Sequence, residues 1–335
     1  MASLCFPIRG LGGSCVHMWD FNIAQAIGLM ARTMPFILLR LAVYIGIALA
    51  YMLATALGAG IGYSFGSVGS AGGGGAFWGG AIGFGLVGAV MYWAREYLLY
   101  LVKAGHIAVL VELIDGRGLP AGRGQIDHGT AIVKERFAQA SALFALDQLV
   151  KGVIRAVTGL ASGLLSFLPG AKQLRDILRA FLRIAVGFLD EVILAHAIRT
   201  KSANGWGSAQ EALVLYGQNW KMMLRNAAWL TVITYLLGFA VFLLLLGPAT
   251  YLVYLMPGAW SIGGFVLALL LAWSVKVALF EPFAVACLMQ VYFKTIEGQQ
   301  PDPEWDARLE QMSGQFRKIK AHAFAEPSGK VEVAA

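Results

Sequence analysis

Apolar residues run through this chain in long blocks, separated by short polar or glycine-rich breaks. The first block, Leu41 to Tyr63, follows Arg32 and Arg40. An uncharged, glycine-rich loop is expected from Ser64 to Gly75, and a second block runs from Ala76 to Arg95–Glu96. Trp78 and Tyr92–Trp93 stand near its two ends, where aromatic side chains settle at membrane surfaces. The fifteen residues from Trp78 to Trp93 rise about 22 Å as a helix, close to a hydrocarbon core once the anchors are allowed for. A third block, Ala227 to Gly247, is expected to stop at Gly247–Pro248, and a fourth starts near Ala259–Trp260. Each suits a helical crossing of roughly 20 residues.

Between the blocks the pattern changes. Apolar periodicity continues over Tyr97–Ile114, a helix projecting beyond the membrane, whereas Gly116, Gly118, Pro120, Gly122 and Gly124 mark residues 115–136 as loop. Ser208 with Glu211 three residues later reads as a capping box opening an amphipathic helix to Asn226. Residues 1–40 form an N-terminal section with an interfacial helix. The sections that follow are a hairpin with its helical extension (41–114), a loop (115–136), a charged helical pair (137–199), an amphipathic helix (200–226), a second hairpin (227–293) and a polar tail (294–335). The charged pair consists of segments 138–168 and 177–198 around Leu168–Pro169–Gly170. If both cross, the fold is an all-α polytopic membrane bundle of six membrane-embedded helices. If they lie on the surface, it has four. The apolar stretches 152–169 and 180–189 favour six.

Composition narrows the class further. Of 335 residues 58% are hydrophobic and 13% charged, with a mean hydropathy of +0.68. Soluble domains carry about 25% charged residues. Residues 226–275 contain no Lys, Arg, Asp or Glu, a run that no soluble core needs. The net charge of +7 comes from cations beside the apolar blocks: six Lys/Arg lie within 95–136, and Arg199, Lys201, Lys221 and Arg225 follow. Segments 64–75 and 248–261 hold none. The positive-inside bias puts both termini in the cytoplasm and those two loops outside. The expected location is the plasma (inner) membrane, with the lipid bilayer as the first partner and no nucleic acid. No removable signal peptide is apparent.

Three cysteines (Cys5, Cys15, Cys287) form no CxxC, and five histidines (His17, His106, His128, His196, His322) have no ligand spacing. No metal, cofactor or enzymatic triad is expected. Lys276 and Glu281, five residues apart, point about 140° from each other on an α-helix, which sets them apart as interfacial anchors rather than a pair.

Two patterns stand out. Small residues recur every four positions in Ala42, Gly46, Ala50, Ala54, Gly58 and Gly62, then in Gly79–Gly83 and Ala81–Gly85–Ala89. Such faces let helix backbones approach closely. They predict a tight hairpin or, alternatively, a seam between subunits. Charge in the 137–199 pair is the second pattern. Asp147 and Lys151 share a helix face, and folding the pair about Pro169–Gly170 brings Asp190 and Glu191 within a turn of them. A charge in lipid costs roughly 2.5–3.5 kcal/mol on insertion scales, so it pairs or lines a polar cavity. The expected site is therefore an ionic cluster of Asp147, Lys151, Asp190 and Glu191. Its alternative is an amphipathic surface helix meeting anionic lipid.

From about Lys134 to Phe293, Ser141-Ala-Leu-Phe-Ala-Leu, Ser208-Ala-Gln-Glu-Ala212 and Leu224-Arg-Asn226 stand in an order that resembles the C-terminal membrane half of the choline-transporter-like family. The resemblance covers roughly half the chain and implies a helical membrane module. No ligand residue carries over by position. Two functions follow as expectations: a transporter or channel for a small, amine-bearing solute, or a non-transporting subunit assembling as a homo-oligomer or with a membrane complex partner.

Overall fold

The computed structural model describes residues 19–68, 72–94, 100–118, 124–136, 140–164, 187–201, 204–254 and 263–325. Regular structure among them is entirely helical. In chain order the helices are α1 (Ile23–Arg32), α2 (Met34–Ser67), α3 (Gly72–Ala94), α4 (Tyr100–Ile114), α5 (Gln125–Arg136) and α6 (Ala140–Leu164). Then come α7 (Leu189–Arg199), α8 (Gly205–Gln218), α9 (Trp220–Tyr254) and α10 (Gly263–Val275). A π-helical turn (Lys276–Phe280) joins α10 to α11 (Glu281–Ile296), and α12 (Pro303–Met312) and α13 (Gly314–Ala325) close the order.

Four helical stretches are long and apolar enough to cross a membrane: Met34–Ser67, Gly72–Met91, Trp220–Tyr251 and Phe265–Ile296. The chain is an integral membrane protein of helical hairpins. Helix α6 and the 11-residue α7 are not among these four, and residues 165–186 of the charged pair lie outside the described residues. The 34 residues of α2 rise about 51 Å, well beyond a 30 Å hydrocarbon core. One end of α2, and likewise of the 32-residue crossings Trp220–Tyr251 and Phe265–Ile296, is therefore free to join a second structure. Phe36, Ile37, Met223, Ala227, Leu230 and residues 284–289 are buried in the main core, while Leu53, Leu57, Ile61, Leu244 and Phe265 are exposed along the other ends.

That second structure is a helical bundle. Helix α4 runs through its centre, with Ala104, Ile107, Ala108, Val109 and Val111 buried. Gly116, at φ +74°, ends it: Arg117 N–H donates to the Glu112 carbonyl at 2.8 Å, the helix stop that a left-handed glycine allows. Helices α7, α8 and the second half of α11 complete the core, and α1, α5, α6, α12 and α13 cover it.

Several boundaries differ from the sequence reading, each for a local reason. The expected loop 64–75 is mostly helix, because Gly75 packs on Gly62 and Ser64 Oγ donates to the Gly60 carbonyl. Helix α9 passes through Pro248 to Tyr254. Without water to replace backbone hydrogen bonds, a helix in lipid persists through proline. Within 115–136, Gln125–Arg136 is helical and crosses α4 where Gly129 meets the Gly105 backbone. The segment 200–226 holds two helices rather than one. Asn204, not Ser208, caps the first of them, its Oδ1 accepting from Gly207 N–H at 2.8 Å, and Ser208 is buried inside the helix. The polar tail folds back as α12 and α13, burying Leu309, Phe316 and Ile319.

Candidate functional site

Glycine builds the first hairpin. A Cβ on Gly58 or Gly79 would fall far inside contact distance of the other's carbonyl oxygen, and the same holds between Gly62 and Gly75. At Gly83 a Cβ would strike the Ala54 carbonyl. Four of the six glycines singled out by spacing, Gly58, Gly62, Gly79 and Gly83, thus lie in the α2–α3 seam. Gly46 and Gly85 do not: nothing among the described residues stands within 4 Å of either Cβ position. The four-residue spacing is common to both groups, but α2 and α3 close on each other only toward their connecting end.

Charge gathers where the hairpins enter the bundle. On α6, Lys151 Nζ donates to Asp147 Oδ2 at 2.5 Å, one helical turn away. It also lies 3.5 Å from Asp190 Oδ2, on α7. Glu191, next along α7, turns to a different cation and pairs with Lys103 on α4. The structure therefore brings Asp147, Lys151 and Asp190 together and links Glu191 to them through its neighbour Asp190 and the field of Lys103.

Burial sets the electrostatics of these groups. It pushes the Glu191 carboxyl up to about 7; Lys103 opposes this, Asp190 adds to it, and Arg40 opposes it in turn. Asp147 is raised as well, first by burial and then by Asp190, against the pull of Lys151. Burial lowers the Lys103 ammonium, but Glu191 and Asp190 outweigh it and hold the group above its ordinary value. Asp190 Oδ1 is buried and has no hydrogen-bond partner among the described residues.

Lys103 and Arg40 were visible in the sequence only as flanking cations. The signal for Lys103 was a lone ammonium within the apolar pattern of 97–114. Arg40 is buried on α2, and its Nη2 donates to the Val277 carbonyl at 3.3 Å. The reason lies in Pro282. In the π-turn Glu281 N–H bonds the Lys276 carbonyl, so the next acceptor, Val277, would look to residue 282, which has no N–H. Arg40 supplies the missing donor.

The same turn overturns the separation of Lys276 from Glu281. They form an ion pair at 2.9 Å, because the wider π-turn swings residues five apart toward one side. Lys276 also lies over the Tyr235 ring at 4.6 Å.

The histidines are dispersed. His106 Nε2 donates to Thr33 Oγ1 at 3.0 Å, the hydroxyl itself donating to the Leu29 carbonyl, and its ring stacks on Phe36. Burial, with Arg40 nearby, lowers its pKa to about 3. His128 bonds Glu112 at 2.6 Å, and His196 lies 3.3 Å from the Tyr292 hydroxyl, which donates to the Ala212 carbonyl. His322 stacks on Trp206. Cys287 is buried and free, while Cys5, Cys15 and His17 lie outside the described residues. No group of three or more His, Cys, Asp or Glu among the described residues is arranged to hold a metal ion. Comparisons with protein-family models, curated proteins and solved structures found no match to this chain.

Proposed function

We propose that this chain is a four-crossing protein of the plasma (inner) membrane and works as a non-transporting subunit that assembles with copies of itself through α3. The observation that carries the reading is the surroundings of α3. Among the described helices it packs closely against α2 alone, and Ala81, Gly85 and Ala89 lie exposed elsewhere on its surface, four residues apart. Small residues at that spacing favour a second helix over lipid, because backbones then approach within dispersion and Cα–H contact. The lipid-facing stretches of the crossings also give a charged solute no partner. Arg40, Lys276 and Glu281 stand at the bundle end, Arg40 engaged with the Val277 carbonyl and the other two with each other. Residues 41–94 and 226–275 contain no Lys, Arg, Asp or Glu, and the buried carboxylates belong to the bundle.

Four crossings rather than six is supported by α6, which packs with α8, α12 and α13 beneath the hairpins. A cytoplasmic bundle and cytoplasmic termini are supported by the cations at that end of the hairpins and their absence from 64–75 and 248–261. A second reading, transport of a small amine-bearing solute, keeps one observation in its favour: Asp190 and Glu191 are buried carboxylates near the base of the crossings. The resemblance to the choline-transporter-like family belongs with that reading.

Light scattering of the protein in lipid nanodiscs tests the proposal. The expected mass is a multiple of 35.9 kDa, with Gly85→Leu returning a folded monomer. A monomeric wild type would overturn the assembly reading. Solute flux into proteoliposomes that is lost in Asp190→Asn and Glu191→Gln would install the second.

A further inference from the structure

The carboxylates of the charged layer are served worse than its ammonium groups. The side chains of Asp190, Glu191 and Asp147 are 3%, 5% and 9% exposed, whereas Lys103 and Lys151 keep 26% and 35%. Burial penalises the ionised form of each group, the lysines included, but neighbouring carboxylates outweigh it at Lys103 and Lys151, so the uncompensated cost falls on Asp147 and Glu191. Asp190 Oδ2 reaches Lys151 only at 3.5 Å, and Oδ1 has no donor among the described residues. The next residue is a second buried carboxylate, Glu191, within the electrostatic reach of Asp190. Two buried like charges this close ionise together only at a cost.

We infer that Asp190 and Glu191 form a proton-binding site, which takes one proton from water and in doing so releases Lys103 from α7. One carboxylate oxygen gains the proton and becomes a neutral carboxyl. Lys103 remains an ammonium, so the site gains one positive charge and the ion pair joining α4 to α7 is lost. The position of the Glu191 carboxyl, pushed by burial to about 7, agrees with uptake close to neutral pH.

The groups around Glu191 set the direction of every perturbation. Helix α4 contributes Lys103 and His106, α6 contributes Asp147 and Lys151, and α2 contributes Arg40. From the π-turn and the start of α11, Lys276 and Glu281 form their own pair, and Glu281 acts on Lys103. Farther along α11, Tyr292 faces His196 of α7 and feels Glu211 of α8, while Arg199 of α7 pairs with Asp115. Of these, the cations Lys103 and Arg40 favour the ionised form of Glu191 and the anion Asp190 opposes it. The inference is independent of whether the chain assembles.

Infrared spectroscopy of the full-length protein in lipid vesicles tests it, following the protonated-carboxyl band from about pH 8 to about pH 5. In the wild type the band should grow with a midpoint near 7, and amide exchange in α4 and α7 should rise with it. Glu191→Gln should remove this component. Lys103→Met should move the midpoint up and Asp190→Asn should move it down, each by about one unit. A wild type with no carboxyl titrating above the ordinary carboxylate range would overturn the site. So would a near-neutral band unchanged in Glu191→Gln, or midpoints that stay fixed or move oppositely in the other two variants.

Discussion

Helices α2 and α3 meet through bare backbone, whereas α4 and α7 meet through a buried ion pair. In the hairpin, Gly58 and Gly79 bring carbonyl oxygens against Cα atoms with no side chain between them. Lipid gives no hydrophobic reason for two helices to associate, so close packing has to supply it. In the bundle, apolar side chains already exclude water, and Lys103, Lys151, Asp147, Asp190 and Glu191 are arranged within that core. A buried pair of this kind adds little net stability, but removing one partner leaves an uncompensated charge. The hairpin is therefore sensitive to added volume and the bundle to lost charge.

The largest effect is expected where charge is lost. Lys103→Met should destabilise the folded protein at about pH 8 by about 1.5–3 kcal/mol, through the move of about one unit in the Glu191 midpoint together with the lost packing of the lysine stem. Lys103→Met/Glu191→Gln should recover the part due to charge. Denaturant titration by tryptophan fluorescence measures both. Next comes added volume. Gly79→Ala should cost about 1–3 kcal/mol in the same assay by forcing α2 and α3 apart, whereas Gly85→Ala on the same helix, with open space around it, should stay within about 0.5 kcal/mol. Equal effects at the two glycines would remove the distinction between seam and open face. Removing the cap in Asn204→Ala should cost about 1 kcal/mol, read as faster amide exchange in the first turn of α8.

Acidity separates the two regions more finely, because the titrating groups with shifted values lie in the bundle. The folded protein holds the Glu191 proton up to about 7 and the unfolded chain releases it near 4.5, so this group makes stability fall as pH rises between those values. His106 and His196 act the other way. Lowered from 6.5 to about 3 and about 4, they make stability rise with pH until 6.5. The difference between wild type and Glu191→Gln isolates the carboxyl, and it should change steadily from about pH 4.5 to about 7, then level off.

Periodicity made the hairpins legible, because lipid demands the same apolar character over a whole crossing and small residues at four-residue steps mark one face. It also placed Asp147 and Lys151 one turn apart, with Asp190 nearby. It did not pair Glu191 with Lys103, since nothing in the local pattern of either helix says that α4 passes beside α7. The π-turn was hidden for a different reason. One extra residue per turn leaves no trace in hydrophobic spacing, and Pro282 by itself does not announce it; Arg40 donating to the Val277 carbonyl does. The tail reads as polar because Leu309, Phe316 and Ile319 are few among many charges, yet each is fully buried. Gly46 and Gly85 show the converse limit: spacing identifies a face, and does not say whether the helix that fills it belongs to the same chain.

In the proposed arrangement the hairpins lie in lipid with their connecting ends on one side and the bundle on the other. Cysteine labelling in sealed, oriented vesicles tests this directly, using single cysteines at Val68, Leu244 and Glu310 in a chain whose native cysteines are replaced. A charged maleimide should reach position 68 only from the outer face and position 310 only from the inner face, and it should not reach position 244 from either. Labelling of positions 68 and 310 from the same side would contradict the account.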